Sequence, residues 1–255
     1  MKSRRFDWSR IATVAAALLM GAVIWQLVAL KTSPAFLSSF TATVARIVEY
    51  SLNGILIDAL ASSLALFVTG FSCAVVVGVL IGLLLARVRV LRVALESYIM
   101  ALYATPMVAL IPFILSTMGF GFAPKALVVF LFAVFPILYN TVEGARSIKP
   151  ELIEVAQSFR SGEWELWRDV LVPYTLPFAL TGIRQAVGRG LVGMVAAELF
   201  LSASGMGALI MRSSQDFDTP GLYAAILVVT ILGVALISVG RALENRFAAW
   251  RGLNR

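Results

Sequence analysis

The chain of 255 residues has no histidine, and Cys73 is its single cysteine. These absences exclude a disulfide within the chain, a zinc cluster and histidine-based acid–base chemistry. Cys73 lies in an apolar run and reads as a small buried hydrophobe. Charge is scarce too: Asp, Glu, Lys and Arg make up 14% of the residues, against about 25% in soluble domains. No G-x-x-x-x-G-K-[ST] stretch occurs, so the chain carries no P-loop nucleotide site. There is no low-complexity tract and no internal repeat, and one domain over 1–255 is the simplest organisation.

Apolar residues take up the space that charge leaves, at 60% of the chain. A water-soluble core cannot hide that much apolar surface, so the composition predicts an integral membrane protein. The net charge of +7 fits a face held against anionic lipid and needs no nucleic-acid partner.

A membrane-crossing helix needs about 20 mainly apolar residues, and its backbone must be satisfied internally. Six stretches qualify: 11–30, 62–86, 93–115, 124–143, 178–201 and 221–240. The predicted fold is therefore all-α with six transmembrane helices. The first stretch is of bilayer length with no clear small-residue cleavage site after it, so it reads as a retained span, not a leader. Residues 31–61 form an outer connection, with an amphipathic helix expected within Val44–Leu60.

Lys and Arg concentrate on one side. Lys2, Arg4, Arg5 and Arg10, then Arg87, Arg89 and Arg92, then Arg146, Lys149, Arg160 and Arg168, then Arg241, Arg246, Arg251 and Arg255 all fall there. The other side has Lys31, Arg46, Lys125 and Arg212, roughly balanced by Glu49, Asp58, Asp216 and Asp218. The positive-inside rule then places both termini and residues 144–177 in the cytoplasm.

Within 144–177 lies EVAQSFRSGEWELWRDVLVPYTLP, residues 154–177, charged and aromatic where its flanks are apolar. Pro150 suits a first helical position, and Glu151 and Glu154 suit the positive end of a helix dipole. Leu152, Val155, Ala156 and Phe159 recur at helical spacing, and Gly162 can end that helix. A second amphipathic piece follows, with Trp164, Leu166, Trp167, Val170 and Leu171 as its apolar members, and Pro173 and Pro177 are expected to turn the chain back into the membrane. Such a surface either docks a partner or packs on the bundle's own face.

This segment resembles the EAA loop of the permease subunits of binding-protein-dependent ABC importers. Glu154, Val155 and Ala156 fill the Glu-Ala-Ala places, and Val172-Pro173 the closing Leu-Pro. ALYATPMVALIPFILSTMGFG (101–121), FPILYNTVEGARSIKPELIEVA (135–156) and GIRQAVGRGLVGMVAAELFLSASGMGALI (182–210) resemble the third to fifth spans of the nitrate/sulfonate/taurine-type permeases. The resemblance covers about residues 60 to 250. It implies that 144–177 forms coupling helices seated on a cytoplasmic ATPase, with Glu154, Val155, Ala156 and Phe159 in the contact, Trp164 and Trp167 in its packing, and Pro173 closing the motif. The family's glycine falls at Arg160, and a glycine occurs instead at Gly162. A bulky residue is a poor fit where the backbone needs a positive φ, so a turn shifted by two residues is one expectation.

Three ionisable groups lie in the fifth stretch. Arg184 falls near the inner face, Arg189 deeper between Gly188 and Gly190, and Glu198 near the outer end. Buried charge in a span faces a path or pairs with another helix. Two readings stand: Arg189 and Glu198 border the translocation path with the kink at Pro106, or they pair with neighbouring helices while Arg184 snorkels inward. Glu96 and Glu143 suit salt bridges at span ends.

The resemblance further implies a bacterial inner-membrane, multi-pass importer subunit for a small anion such as a sulfonate, taurine or nitrate. It is not an enzyme and binds no cofactor itself; ATP-Mg belongs to a partner ATPase dimer. A second copy of the chain, an extracytoplasmic solute-binding protein and lipid complete the partners. The alternatives fare worse. A secondary transporter or channel lacks a visible ion site or inverted repeat and leaves 150–173 unexplained. An intramembrane enzyme lacks catalytic groups.

Overall fold

A computed structural model describes residues 8–201 and 204–248, with the side chains of 8–11, 86, 89, 201, 243 and 245–248 left out of the description. The described residues form helices joined by short turns: α1 (Trp8–Leu30), α2 (Phe40–Leu52), α3 (Ile55–Arg87), α4 (Arg89–Ala104), a 3₁₀ turn (Met107–Leu110), α5 (Ile111–Met118), α6 (Phe122–Arg146), α7 (Pro150–Ser158), α8 (Glu163–Leu166), a π-helical turn (Trp167–Leu171), α9 (Val172–Leu201), α10 (Met206–Gln215) and α11 (Thr219–Ala248). Among the described residues, Ala12–Leu30, Ile55–Leu85, Phe122–Arg146 and Thr219–Ala242 are long and apolar enough to cross a membrane, and Val90–Ala104 with Met107–Met118 makes a fifth, bent by 90°. Helix α9 has the length but is less apolar, with Arg184, Arg189 and Glu198 along it.

Several predicted boundaries move for local reasons. The amphipathic helix expected in Val44–Leu60 is α2, which starts earlier because Ser39 caps it by accepting from Ala42 N–H. It stops at Asn53, and Gly54 at φ +76° permits the break before the next helix. Helix α3 then starts at Ile55, ahead of the expected position, with Asp58 in its first turn where a negative charge is favoured. The third span is not one helix. Thr105, which precedes Pro106, takes extended ψ 133° and breaks it, whereas Pro112 sits harmlessly in the first turn of α5. Helix α10 has no counterpart among the predicted elements: it is ten residues long and largely polar at its C-terminal end, so hydropathy does not reveal it.

The chain divides into two compact units. Among the described residues, one comprises 8–58 with Leu209–Val228. There Trp25 packs edge-on to Phe40 (5.6 Å) and against Tyr223 (5.8 Å), and its indole N–H donates to Ser38 O at 2.9 Å. Asp218 caps the start of α11 by accepting from Gly221 N–H (3.1 Å), and also accepts from Arg46 (3.0 Å) and Tyr50 (2.8 Å).

The other unit comprises the described residues of Ala59–Ala208 together with 229–248. Its centre is the α6–α9 pair, with α3 laid against both. Leu66 and Phe67 of α3, Val129 of α6, and Val187, Leu191 and Met194 of α9 form one buried cluster; Ala74, Ala133, Val134, Ile137 and Ala186 form the next. Small residues bring the backbones together, as membrane packing requires. A Cβ on Gly78 would lie 3.0 Å from Ile137, one on Gly182 2.8 Å from Pro136 O, and one on Gly144 2.4 Å from Phe178 Cβ.

Candidate functional site

Residues 150–171 fold as a helical hairpin on a small core of their own. Ile148, Leu166 and Leu171 are buried, with Ile153, Ala156, Trp167 and Val170 packed against them. The opposite side of α7 is bare: Leu152, Val155 and Phe159 are exposed, Phe159 at 82%, and so is Trp164 at 77%. The single apolar face expected for Leu152, Val155, Ala156 and Phe159 is thus two faces, Ala156 turned in and the rest out. The two tryptophans likewise separate, Trp167 into the core and Trp164 into the open. Glu154 is exposed on α7 beside Val155.

The end of α7 corrects the expectation of a shifted turn. Arg160 adopts φ +57°. Ser161 N–H donates to Ala156 O (3.1 Å) and Arg160 N–H to Gln157 O (2.8 Å), the paired bonds of a Schellman motif with Arg160 in its left-handed position. The turn keeps the place of the family's glycine. Gly162 does not end α7; at φ −70° it begins α8, donating its N–H to Glu165 Oε2 at 2.9 Å.

The expected turn at Pro173 and Pro177 is also absent. Residues 163–201 run as one continuous helix, with Pro173 and Pro177 inside it. Proline removes a donor and crowds the preceding turn. The π-helical turn at Trp167–Leu171 comes just before Pro173, and there Val172 N–H reaches back to Trp167 O. Such bulges accommodate strain inside a helix. Arg87 at the end of α3 makes a two-point ion pair with Glu163. Arg146 bonds both Glu96 (3.0 Å) and Glu143 (2.9 Å), the salt-bridge roles expected for those acids.

The charges along α9 part company. Arg184 does not simply snorkel: it pairs with Glu244 of α11 at 3.0 Å, and Thr181 donates to the same carboxylate at 3.0 Å. Glu198 is 1% exposed. It accepts from Ser63 (2.7 Å) and Gly207 N–H (2.9 Å), while Ser63 Oγ accepts Met206 N–H at 2.8 Å. Glu198 and Ser63 together cap the first turn of α10, whose N–H groups have no partner in their own helix.

Arg189, by contrast, is exposed to a cavity of about 210 Å³. The cavity lies between Tyr103, Thr105 and Met107 at the α4–α5 break, Leu131, Phe132 and Phe135 of α6, and Arg189 and Val192 of α9. The Arg189 guanidinium lies 4.4 Å from the centre of the Tyr103 ring, and its Nη2 donates to the Tyr103 hydroxyl at 2.9 Å. Tyr103 in turn stacks on Tyr139, 6.0 Å away. The structure therefore brings Arg189 and the Pro106 break to one place and leaves Glu198 outside it. Tyr103 and Ser63 had no signal in the sequence; nothing in spacing or composition sets either apart.

Long apolar helices, a cavity lined by the Arg189 cation and a hairpin displaying apolar side chains are features of a membrane transport subunit. Residues 74–249 match the family described as the binding-protein-dependent transport system inner membrane component. The chain belongs to that family and is a multi-pass inner-membrane permease. It is 33% identical over 249 residues to the riboflavin transport system permease protein RibX of Chloroflexus aurantiacus, covering 97% of this chain and 92% of the relative. It is 29% identical to the putative aliphatic sulfonates transport permease protein SsuC of Bacillus subtilis, covering 97% and 90%. To the taurine transport system permease protein TauC of Escherichia coli it is 27% identical, covering 99% and 96%. Among solved structures, an inward-facing MetNI methionine ABC transporter chain shares the fold with a TM-score of 0.66 at 16% identity, over 76% of this chain and 96% of that one.

Proposed function

We propose that this permease forms half of the transmembrane path of an ABC importer for a small anion such as an organic sulfonate, paired with a second copy of itself and driven by a separate ATPase dimer that holds ATP-Mg. Six spans with both termini in the cytoplasm place the 150–171 hairpin on the ATPase side. A solute-binding protein delivers from the opposite side.

The observation that carries this reading is the hairpin itself. Leu152, Val155, Phe159 and Trp164 stand exposed on a scaffold fixed from behind by Ile148, Leu166 and Leu171. Exposed apolar side chains on a rigid support are what a partner's groove selects. The same support leads into α9 through an unbroken helix, so force applied at α7 and α8 has a direct route to the charged span. The relatives named for sulfonates and taurine, together with the Arg189 cation at the cavity, support an anion as cargo.

The test is purification of the tagged protein from its native membrane in mild detergent. A stoichiometric P-loop ATPase is expected, and Glu154→Arg with Phe159→Asp removes it without changing the melting temperature. An intact preparation with no ATPase would overturn the reading in favour of a secondary transporter or channel.

A further inference from the structure

The cavity at Arg189 has a chemistry narrower than attraction for anions. Among the described residues it carries one full charge, that of Arg189, and no acidic side chain lines it. Among the described residues Arg189 makes no ion pair. Its polar contact is Nη2 to a neutral phenol, so the remaining guanidinium donors are uncommitted. A guanidinium with free paired donors suits a planar or tetrahedral oxyanion held at two points.

Apart from Thr105, the remaining lining residues are apolar or aromatic. Phe132 and Phe135 line one side, and the Tyr103 ring, stacked on Tyr139, forms a shelf under the guanidinium. Size can be judged against a known case: an apolar cavity of about 150 Å³ holds a benzene molecule. The 210 Å³ here leaves room for one ring and a small anionic group. A bare inorganic anion would leave the aromatic walls unfilled. A zwitterion would bring an ammonium close to the Arg189 guanidinium, where like charges repel, with no carboxylate among the described lining residues to pair with it; the ring faces offset only part of that cost.

We infer that the cavity between the α4–α5 break, α6 and α9 is a binding site for a single-ring aromatic monoanion, a sulfonate or carboxylate, with Arg189 holding the oxyanion and Tyr103 and Phe132 flanking the ring. This rests on the importer reading for its direction of transport but not for its binding chemistry.

The experiment uses the full-length protein in lipid nanodiscs with whatever subunits co-purify. Calorimetric titration with benzenesulfonate is compared with taurine and methanesulfonate. Benzenesulfonate is expected to bind at least about tenfold more tightly than either, and Arg189→Gln to weaken it by about tenfold or more, the usual effect of losing a hydrogen bond to a charged group. Tyr103→Phe keeps the ring and most of the affinity; Tyr103→Leu does not. Should Arg189→Gln fail to yield a monodisperse protein, Arg189→Lys carries the test, since it keeps the charge but loses the planar donor pair and weakens binding. The inference is overturned by undetectable benzenesulfonate binding, by equal or tighter taurine binding, or by Arg189 and Tyr103 variants that bind like the parent. ATPase content is scored on the same preparations. Absent binding with the ATPase present rejects the ligand class alone, and binding without an ATPase rejects the importer reading alone.

Discussion

The hydroxyl of Ser63 on α3 lies 2.7 and 2.8 Å from the two carboxylate oxygens of Glu198 on α9, and the same Ser63 oxygen accepts Met206 N–H from the start of α10. Three helices meet through one serine. Ser63→Ala leaves a buried carboxylate oxygen and a buried N–H short of a partner, at a cost of about 1–3 kcal/mol. Glu198→Gln keeps an acceptor for Gly207 and is expected to be milder than Glu198→Ala. Thermal unfolding in detergent, with the three variants ranked in that way, checks the cap; equal melting of all three would reject it.

Two glycines give a matched pair for the same assay. A Cβ at Gly205, whose φ is +98°, would sit 2.2 Å from Glu198 Oε1, while one at Gly188 meets nothing within 4 Å. Gly205→Ala should therefore destabilise strongly. Gly188→Ala should be neutral or stabilising by up to about 1 kcal/mol through helix propensity.

Arg160 holds a conformation that costs an L-residue about 1–2 kcal/mol. Glycine relieves that strain but gives back about 0.5–1 kcal/mol in chain entropy. Arg160→Gly should thus stabilise by about 0.5–1 kcal/mol, seen as a raised melting temperature. A lowered one would mean that the arginine side chain makes a contribution larger than the strain.

The two tryptophans of the hairpin should behave oppositely. Trp164 is 77% exposed, whereas Trp167 packs on Ile148, Leu166 and Leu171. Trp164→Ala is expected to change stability by no more than about 0.5 kcal/mol yet weaken ATPase co-purification. Trp167→Ala should lower stability by about 2–4 kcal/mol, a partly buried aromatic falling below the cost of a fully buried one.

Tyr50 supplies an alkaline signature. Burial, and then its hydrogen bond to Asp218, push the phenol above its usual 10.0. The folded state therefore keeps a proton that the unfolded chain loses above that pH. The Tyr50 contribution is complete below pH 10 and declines as pH rises through the folded value. Tyr50→Phe should flatten that part of the stability–pH curve; an unchanged slope would place the alkaline transition elsewhere.

The sequence by itself determined the membrane environment, the long helices and the position of the hairpin, because these follow from composition and hydropathy summed over many residues. Pro150 at the start of α7 was legible for the same kind of reason, since its backbone preference is intrinsic. The resemblance put the family's glycine at Arg160, but the residue type argued for a turn two residues later, and the left-handed arginine there could not be read from the sequence.

Only the tertiary structure decided the rest. Leu152 and Ala156 share a helical stripe in sequence, yet one faces out and the other in, because the hairpin's second half covers half of that stripe. Pro173 reads as a stop, but the π-helical turn ahead of it lets the helix pass. Arg184, Arg189 and Glu198 look alike as charges in one span. Packing gives Arg184 to Glu244, gives Glu198 to the start of α10, and leaves Arg189 facing a cavity beside Tyr103. Which charge meets which side chain depends on residues 60 to 135 positions away in the chain, and no local pattern encodes that.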